Sequence, residues 1–303
     1  MNRLGTIAAF AALLIAFVSD GALAGARNAG TATSPEATGM LARYRTLVPQ
    51  FAHNPFGRPL ALESQESTGQ VSGDVYAEID KPFAVVSKAF ASAPAWCEVL
   101  ILHINTKYCR TGLGAEANNL SVWVGRKHEQ DLDNAFAMRF AFRLDSARPD
   151  YLAAQITSPD GPFGSHDYAI RLQAVPVAGG KTFMRLHYAY SFGRVARLAT
   201  EGYLATSGSD KVGFSRVDTG DGKRDYVRGM RGTIERNTMR YYLAVEAYLD
   251  SLSKPPGQQF ASRIEHWFDA TEQYRLQLHE MDRSTYLSMK QREYVRQQSA
   301  AVH

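Results

Sequence analysis

The sequence predicts an α+β fold in which a run of antiparallel strands, covered on one face, is followed by one long helix and further C-terminal helices. The strands are indicated by alternation of apolar and polar residues in four segments, 71–79, 136–144, 168–174 and 184–192. Alternation with a period of two gives each strand one apolar and one polar face, as in an antiparallel sheet covered on one side. The helix is indicated at 226–252 by apolar residues at helical spacing, and the sequence SKPPG that follows ends it.

The composition is that of an ordinary globular protein and excludes several classes. Of 303 residues, 45% are hydrophobic and 21% are charged, which excludes a disordered chain, a collagen-like repeat and a polytopic membrane protein. The net charge of +4 is spread without a run of Lys or Arg, so no nucleic-acid partner is expected. The sequence motifs of serine hydrolases, zinc proteases, P-loop proteins and dinucleotide-binding enzymes are missing. We therefore expect no metal and no cofactor, and we assign no catalytic residue.

Residues 1–24 are predicted to be a cleaved signal peptide. Arg3 supplies a positive charge, an apolar stretch of thirteen residues follows at 6–18, and the small-x-small pattern of 22–24 predicts the cleavage site. The apolar stretch is shorter than the about 20 residues that a membrane-spanning helix needs, so a retained anchor is the less favoured alternative. We expect a periplasmic or secreted protein with no transmembrane anchor after signal cleavage.

Composition divides the remaining chain into three segments. Residues 25–70 are rich in Ala, Gly, Ser, Thr and Pro and are predicted to be an extended lead-in with one short helix at 35–47. The strands and the long helix lie in 71–253, which we take as the main domain. Residues 254–303 form a predicted helical C-terminal extension, in which 258–298 is a candidate surface for a protein partner. The extension carries an apolar docking stripe of Phe260, Ile264 and Trp267.

The two cysteines, Cys97 and Cys109, are predicted to form one disulfide in an oxidising compartment. A single extended strand across 98–108 would hold them about 36 Å apart. A disulfide needs Cα atoms within about 7 Å. The segment must therefore turn, and we expect the turn at 105–107. The alternative is a pair of buried thiols.

The order of the elements resembles the helix-grip arrangement of the START/Bet v 1-like superfamily. The residues that carry the resemblance are the sequence GDVYAEIDKPF at 73–83, the sequence PAW at 94–96 and the helix at 226–252. The resemblance covers about residues 70–253. It implies a curved antiparallel sheet wrapped around the long C-terminal helix, with an apolar cavity between the sheet and the helix.

A cavity of this kind predicts an exported protein that sequesters or carries a hydrophobic small molecule or lipid, without a cofactor. One helix stripe covers only part of the apolar sheet face, so the remaining area is either close-packed core or a ligand pocket. The predicted ligand-binding residues are the aromatic and polar side chains expected near the cavity: Trp96, His103, Lys107, Phe140, Phe142, Tyr188, Tyr190 and Tyr241.

His103 and Lys107 lie between the two cysteines, where they are candidates to bind the polar head of a ligand. The alternative is that His103 caps a helix and Lys107 is solvated. Two other functions stay open. One is a cyclase- or hydrolase-like enzyme that uses His103, Tyr188 or Tyr190 as acid or base. The other is a non-catalytic interaction protein that docks through its C-terminal helices.

Overall fold

The computed structural model describes residues 33–194, 197–198, 202, 210–220 and 222–299, so the predicted signal peptide at 1–24 lies outside the described residues. The helices are α1 (Pro35–Phe51), α2 (Phe83–Phe90), α3 (Ala93–Leu100), α4 (Gly229–Ser251), α5 (Pro256–Glu272), α6 (Arg275–Leu278) and α7 (Arg283–Ser299). The first five strands are β1 (Leu60–Ser67), β2 (Gln70–Ile79), β3 (Thr106–Thr111), β4 (Asn119–Val124) and β5 (Phe136–Arg148). The others are β6 (Tyr151–Asp160), β7 (Ser165–Val177), β8 (Lys181–Phe192), β9 (Arg216–Asp218) and β10 (Arg224–Tyr226).

Eight strands form one antiparallel sheet in the order β1-β2-β8-β7-β6-β5-β4-β3. The chain leaves β2, passes through α2 and α3 to the far edge of the sheet, and returns strand by strand until β8 pairs with β2. The long helix α4 then packs against β1, β2 and β8. This connectivity confirms the predicted α+β fold, an antiparallel sheet that holds a long C-terminal helix with additional helices behind it.

The helix α4 approaches the sheet very closely at Gly73 on β2. A Cβ atom added to Gly73 would lie 2.3 Å from the Oγ1 atom of Thr238 on α4, which is far inside any normal contact. Thr238 is itself fixed, because its hydroxyl donates to the carbonyl oxygen of Ile234 at 2.8 Å. Only glycine at position 73 allows the helix to lie this deep in the sheet.

The segment 33–70 contains regular structure that differs from the predicted extended lead-in. The helix α1 is longer than the predicted 35–47, and Ser34 caps it by accepting a hydrogen bond from the Ala37 N–H. The strand β1 pairs with β2 along its whole length and forms one edge of the sheet. The sequence hides this strand because its second half, which reads ESQES, is polar and lies at an exposed edge.

The sheet is covered on both faces, although the alternation predicted cover on one. The helix α1 buries Met40 and Leu47 on the convex side. They pack there in a cluster that includes Tyr76, Val175 and Phe183 from β2, β7 and β8. Apolar residues at these outward positions are the reason that the helix adheres to this face.

The C-terminal extension packs into the core of the same chain. The predicted docking stripe of Phe260, Ile264 and Trp267 is buried, and the Trp267 indole donates to the carbonyl oxygen of Arg240 at 3.0 Å. The Trp267 ring also stacks on Tyr286 of α7, with ring centroids 4.9 Å apart. The stripe therefore joins α5 and α7 to α4 within this molecule.

The helix α7 also closes the other edge of the sheet. The side chain of Gln297 accepts a hydrogen bond from the outward N–H of Cys109 on β3 at 3.2 Å. Tyr286 donates to the carbonyl oxygen of Leu102, just before the same strand, at 2.8 Å. Side chains of a helix thus replace the next strand along this edge.

No single helix among the described residues is long and apolar enough to cross a membrane. The helices α2 and α3, which meet at 94°, reach the length and apolar composition of a membrane span only when they are counted together. Their residues Phe90, Trp96 and Leu100 are buried in the protein core.

The predicted disulfide is confirmed between Cys97 on α3 and Cys109 on β3, with Cα atoms 5.3 Å apart. The chain turns at 101–105, slightly before the predicted 105–107. The reason is that Thr106 and Lys107 already belong to β3, which starts as soon as its partner β4 is within reach. The disulfide therefore joins the two ends of a single tight loop.

We expect the double variant C97S/C109S to unfold at lower urea concentration than the wild type. Closing a loop of 12 residues removes conformational entropy from the unfolded chain, so the loss in the free energy of unfolding should be about 3 kcal/mol. Urea unfolding with and without dithiothreitol measures it. The reductant should lower the free energy of unfolding of the wild type to that of the variant and leave the variant unchanged. A wild type whose unfolding is insensitive to the reductant would contradict the expectation.

Candidate functional site

A cavity of about 150 Å³ lies between the sheet and α4. Its apolar wall comes from β4, β5 and β7, and it includes Val122, Met138, Phe140 and Ile170. The opposite wall comes from the loop after α3 and from α4, with His103, Asn105, Thr106, Asn237 and Tyr241. Most of the interior is therefore close-packed, and the space that remains is small and largely apolar.

A second cavity of about 150 Å³ adjoins the first. The two share Pro162, Tyr168, Tyr188 and Asn237 in their walls, and the second continues past Tyr190. The side chains of Tyr168 and Tyr188 therefore stand in the walls of both cavities.

Aromatic rings hold one another in place around the first cavity. The imidazole of His103 stacks on Tyr241 with ring centroids 4.9 Å apart, and Tyr188 meets Tyr241 edge to face at 5.1 Å. Tyr168 stacks on Tyr190 at 5.2 Å. Pairs of this kind prefer defined geometries, so the wall keeps its shape without a ligand.

His103 supplies a buried hydrogen-bond donor in the wall of the cavity. Its Nδ1 atom accepts a hydrogen bond from the main-chain N–H of Asn105 at 3.2 Å, which places the ring proton on Nε2. No described residue completes a hydrogen bond of normal geometry to that Nε2 atom, although the Asn237 side chain lies near enough to act on the ring. Burial lowers the pKa of His103 well below its usual value, and the nearby cations Arg240 and Lys290 lower the pKa further, while the amide of Asn237 opposes them. His103 is therefore neutral, with an N–H group available.

The tyrosines of the cavities are neutral as well. Burial raises the pKa of Tyr188, Tyr190 and Tyr241 above the ordinary phenol value, and the neighbouring tyrosine hydroxyls add to this effect for Tyr188. The three candidate acid–base groups His103, Tyr188 and Tyr190 thus meet a ligand as uncharged side chains. They act as hydrogen-bonding groups in this state.

Five of the eight predicted ligand-binding residues line a cavity. His103, Phe140, Tyr188 and Tyr241 line the first, and Tyr190 lines the second.

Trp96 and Phe142 do not line either cavity. Trp96 packs edge-on against Phe90 at 5.7 Å in the core under α2. Phe142 shares a strand face with Phe140 and is buried in the main core. It lies two residues further along β5, where packed side chains occupy the space.

Lys107 is buried, and its charged head contacts the C-terminal helix, which corrects both the predicted ligand contact and the solvated alternative. Its Nζ atom donates to the carbonyl oxygen of Ile104 at 2.9 Å and to Oε1 of Glu293 at 3.1 Å. Neither distance leaves room for a ligand group at the ammonium. The side chain extends from β3 toward α7, away from the cavity lined by Thr106.

Among the lining residues that were not predicted as site residues, Asn237 and Tyr168 carry polar groups with a recognisable sequence signal. Asn237 interrupts the apolar stripe of α4 between Ile234 and Tyr241, and a polar residue on an apolar helix face is a signal for a site. Tyr168 stands on the apolar face of its strand, and its hydroxyl bonds to Ser165 at 2.8 Å. A polar aromatic in that position carries the same signal.

We expect the buried His103 to make the protein less stable as the pH falls below about 6.5. The unfolded chain binds a proton on this histidine near that pH, whereas the native protein, with its lowered pKa, does not. The contribution of neutral His103 to the free energy of unfolding is fully present above about pH 6.5. Below that pH it falls by up to about 1.4 kcal/mol per pH unit.

Urea unfolding of the wild type and of H103Q across this range measures the effect. The stability difference between the two should shrink as the pH is lowered, because the variant lacks the proton uptake. The matched control H53Q removes an exposed histidine and should follow the wild type. Parallel curves for wild type and H103Q would show that His103 does not titrate this way.

No protein-family model and no curated protein sequence matches the chain. Among solved structures, norcoclaurine synthase from Thalictrum flavum is 14% identical, with 50% of this chain and 91% of that chain covered at a TM-score of 0.31. Human StAR-related lipid transfer protein 5 is 9% identical, with 57% and 91% covered at 0.29. Ara h 8.0201 is 8% identical, with 63% and 99% covered at 0.33.

Superposition scores this low do not establish a shared fold, so the assignment rests on connectivity. One strand leads through two short helices to the far edge of the sheet, six strands return until the last pairs with it, and the long helix α4 packs against β1, β2 and β8. That connectivity is the helix-grip arrangement that the sequence predicted.

Proposed function

We propose that this protein binds a small, mainly apolar molecule in the first cavity, between the sheet and α4. The observation that carries the proposal is the space between the sheet and α4, walled by stacked aromatic rings, with a His103 N–H beside it that lacks a hydrogen bond of normal geometry. An empty space in a core costs stability, and a buried donor without a partner costs more. A ligand that fills the space and accepts this hydrogen bond relieves both.

The size of the cavity selects the ligand. A cavity of about 150 Å³ lined by apolar side chains holds a molecule the size of benzene. A long-chain lipid does not fit in that volume, so a single-ring molecule is favoured over the lipid that the sequence left open. The adjoining cavity offers a path for a substituent, provided that Tyr168 or Tyr188 changes rotamer.

The affinity comes from apolar contact and the specificity from polar contact. Each square ångström of apolar surface removed from water contributes about 25 cal/mol. Tyr188 and Tyr241 present ring surfaces to the ligand. A hydrogen bond from His103 adds about 1 kcal/mol and fixes the orientation of a ring that carries an acceptor oxygen.

The compartment belongs to the same proposal. The disulfide between Cys97 and Cys109 is of the kind that persists in an oxidising space, which supports export by the predicted signal peptide. The protein would then bind its ligand in the periplasm or outside the cell. Burial weakens His103 as a base and Tyr188 as an acid, so the chemistry of the cavity favours holding a molecule over transforming it.

We expect wild-type protein to bind toluene and phenol, and V122F to lose this binding. Val122 lines the cavity and is buried, so a phenyl group there occupies the space of the ligand ring. The loss should be at least tenfold in affinity, which is the worth of burying one apolar side chain of about 1.5 kcal/mol. Saturation-transfer NMR and titration calorimetry measure it.

The matched control is V85F, which makes the same substitution at an exposed position of α2 and should bind like the wild type. Thermal unfolding of V122F tests whether the variant is folded. Unchanged binding by a folded V122F would place the ligand elsewhere, and no binding by the wild type would exclude a single-ring ligand for this cavity.

A further inference from the structure

The loop that forms the polar wall of the cavity is held by buried charges. The carboxylate of Glu293 on α7 lies between two ammonium groups, Lys107 at 3.1 Å and Lys290 at 2.7 Å. All three side chains are at most 1% exposed. Two cations thus share one anion in the interior.

A second buried carboxylate is shared in the same way. Glu280 contacts Arg240 of α4 at 2.7 Å, Lys127 at 2.7 Å and Lys211 at 3.6 Å. Arg240 and Glu280 are both nearly inaccessible to solvent. Counting only the buried groups of both clusters, three cations stand against two carboxylates, so the region carries excess positive charge.

Both clusters reach the wall of the cavity directly. Lys290 donates from Nζ to the carbonyl oxygens of His103 at 2.7 Å and Thr106 at 2.8 Å. Arg240 donates from Nη1 to Oδ1 of Asn237 at 3.2 Å. The positive potential acts on the site, since Arg240 and Lys290 both lower the pKa of His103.

The wall of the cavity also carries hydrogen-bonding side chains, which a ligand can reach. Asn237 lines both cavities and accepts from Arg240 at its Oδ1, and it lies near the Nε2–H of His103, for which no described residue completes a hydrogen bond of normal geometry. None of the described residues that line either cavity is an Asp or a Glu. An anion entering here meets neutral side chains in the wall, with Lys290 and Arg240 behind it and the carboxylates of Glu293 and Glu280 beyond those cations.

We infer that the ligand is an aromatic oxyanion, a single-ring carboxylate or phenolate whose ring lies among the tyrosines and whose oxygen lies against His103 and Asn237. This inference rests on the proposed function and names the chemical class of its ligand. A buried anion is costly unless it is hydrogen-bonded and paired with positive charge. The donors of the wall and the excess cations behind it meet both needs.

The first test compares benzoate with benzamide, which has nearly the same shape and no charge. Calorimetric titration of the full-length protein at low salt and about pH 7 keeps benzoate ionised. The same pH keeps Lys290 charged, because burial lowers its pKa only to about 8. Benzoate is expected to bind at least about tenfold more tightly, since an effective dielectric constant near 20 leaves buried charges strongly interacting.

The second test uses 4-nitrophenol, whose phenolate has its own visible absorbance. A positive site lowers the apparent pKa of the bound phenol, whereas a purely apolar site raises it. Absorbance titration of wild-type protein with the probe therefore reads the sign of the potential directly. This titration tests a phenolate as the ligand, whereas the first test examines a carboxylate.

The variant K290Q removes one buried charge and keeps side-chain N–H donors. The preference for benzoate over benzamide should fall about tenfold in this variant. The matched control K88Q removes an exposed lysine on α2 and should keep the preference of the wild type. If K290Q does not fold, the 4-nitrophenol titration of the wild type still decides the question.

The outcomes separate this inference from the function on which it rests. Benzoate preference with a lowered nitrophenol pKa supports both. Equal or tighter binding of benzamide with a raised nitrophenol pKa overturns the anionic ligand and leaves the apolar site intact. Failure of every probe to bind overturns both.

Discussion

The concave face of the sheet is wider than one helix, and the rest of the molecule is arranged around that mismatch. The helix α4 lies close to the β1, β2 and β8 side, at the distance that Gly73 permits. The far side, with β3 and β4, needs other cover, and α3 and α7 supply it. The first cavity lies between α4 and the end of α3, because rigid helices cannot fill the seam between them.

The buried ion cluster around Glu293 ties this cover to the cavity wall. Removing one partner of such a cluster leaves an uncompensated buried charge. The loss of one side chain is therefore strongly destabilising, even where the whole cluster contributes little net stability. Lys290 and Tyr286 together hold carbonyl oxygens of Leu102, His103 and Thr106. The last helix therefore determines the shape of a loop that the disulfide only closes.

The main strands and the long helix could be predicted from the sequence, because burial on one face leaves a clear period. The disulfide was predicted from the cysteine count and the expected compartment. The cavity was predicted from the resemblance in element order, and the periodicity supplied the strand aromatics that line it. The strand β1 could not be predicted, since a half-solvated edge strand such as 60–67 shows almost no apolar alternation. The role of Lys107 was equally hidden, because its partner Glu293 is 186 residues away and reads as a solvated helix charge. The alternation in β5 predicts that Phe140 and Phe142 share one face of the strand. Only the position of the helices determines that Phe140, and not Phe142, borders the cavity.

The side-chain cover of strand β3 has a consequence for behaviour at high concentration. A sheet edge with free N–H and C=O groups is a template on which another molecule can add a strand and begin an aggregate. Gln297 occupies the outward N–H of Cys109, and the polar and acidic second half of β1 discourages pairing at the opposite edge. The two edges of the sheet are thus protected by different means, β3 by the side-chain amide of Gln297 and β1 by its charged residues. Colloidal stability is built into the same helix that positions the loop.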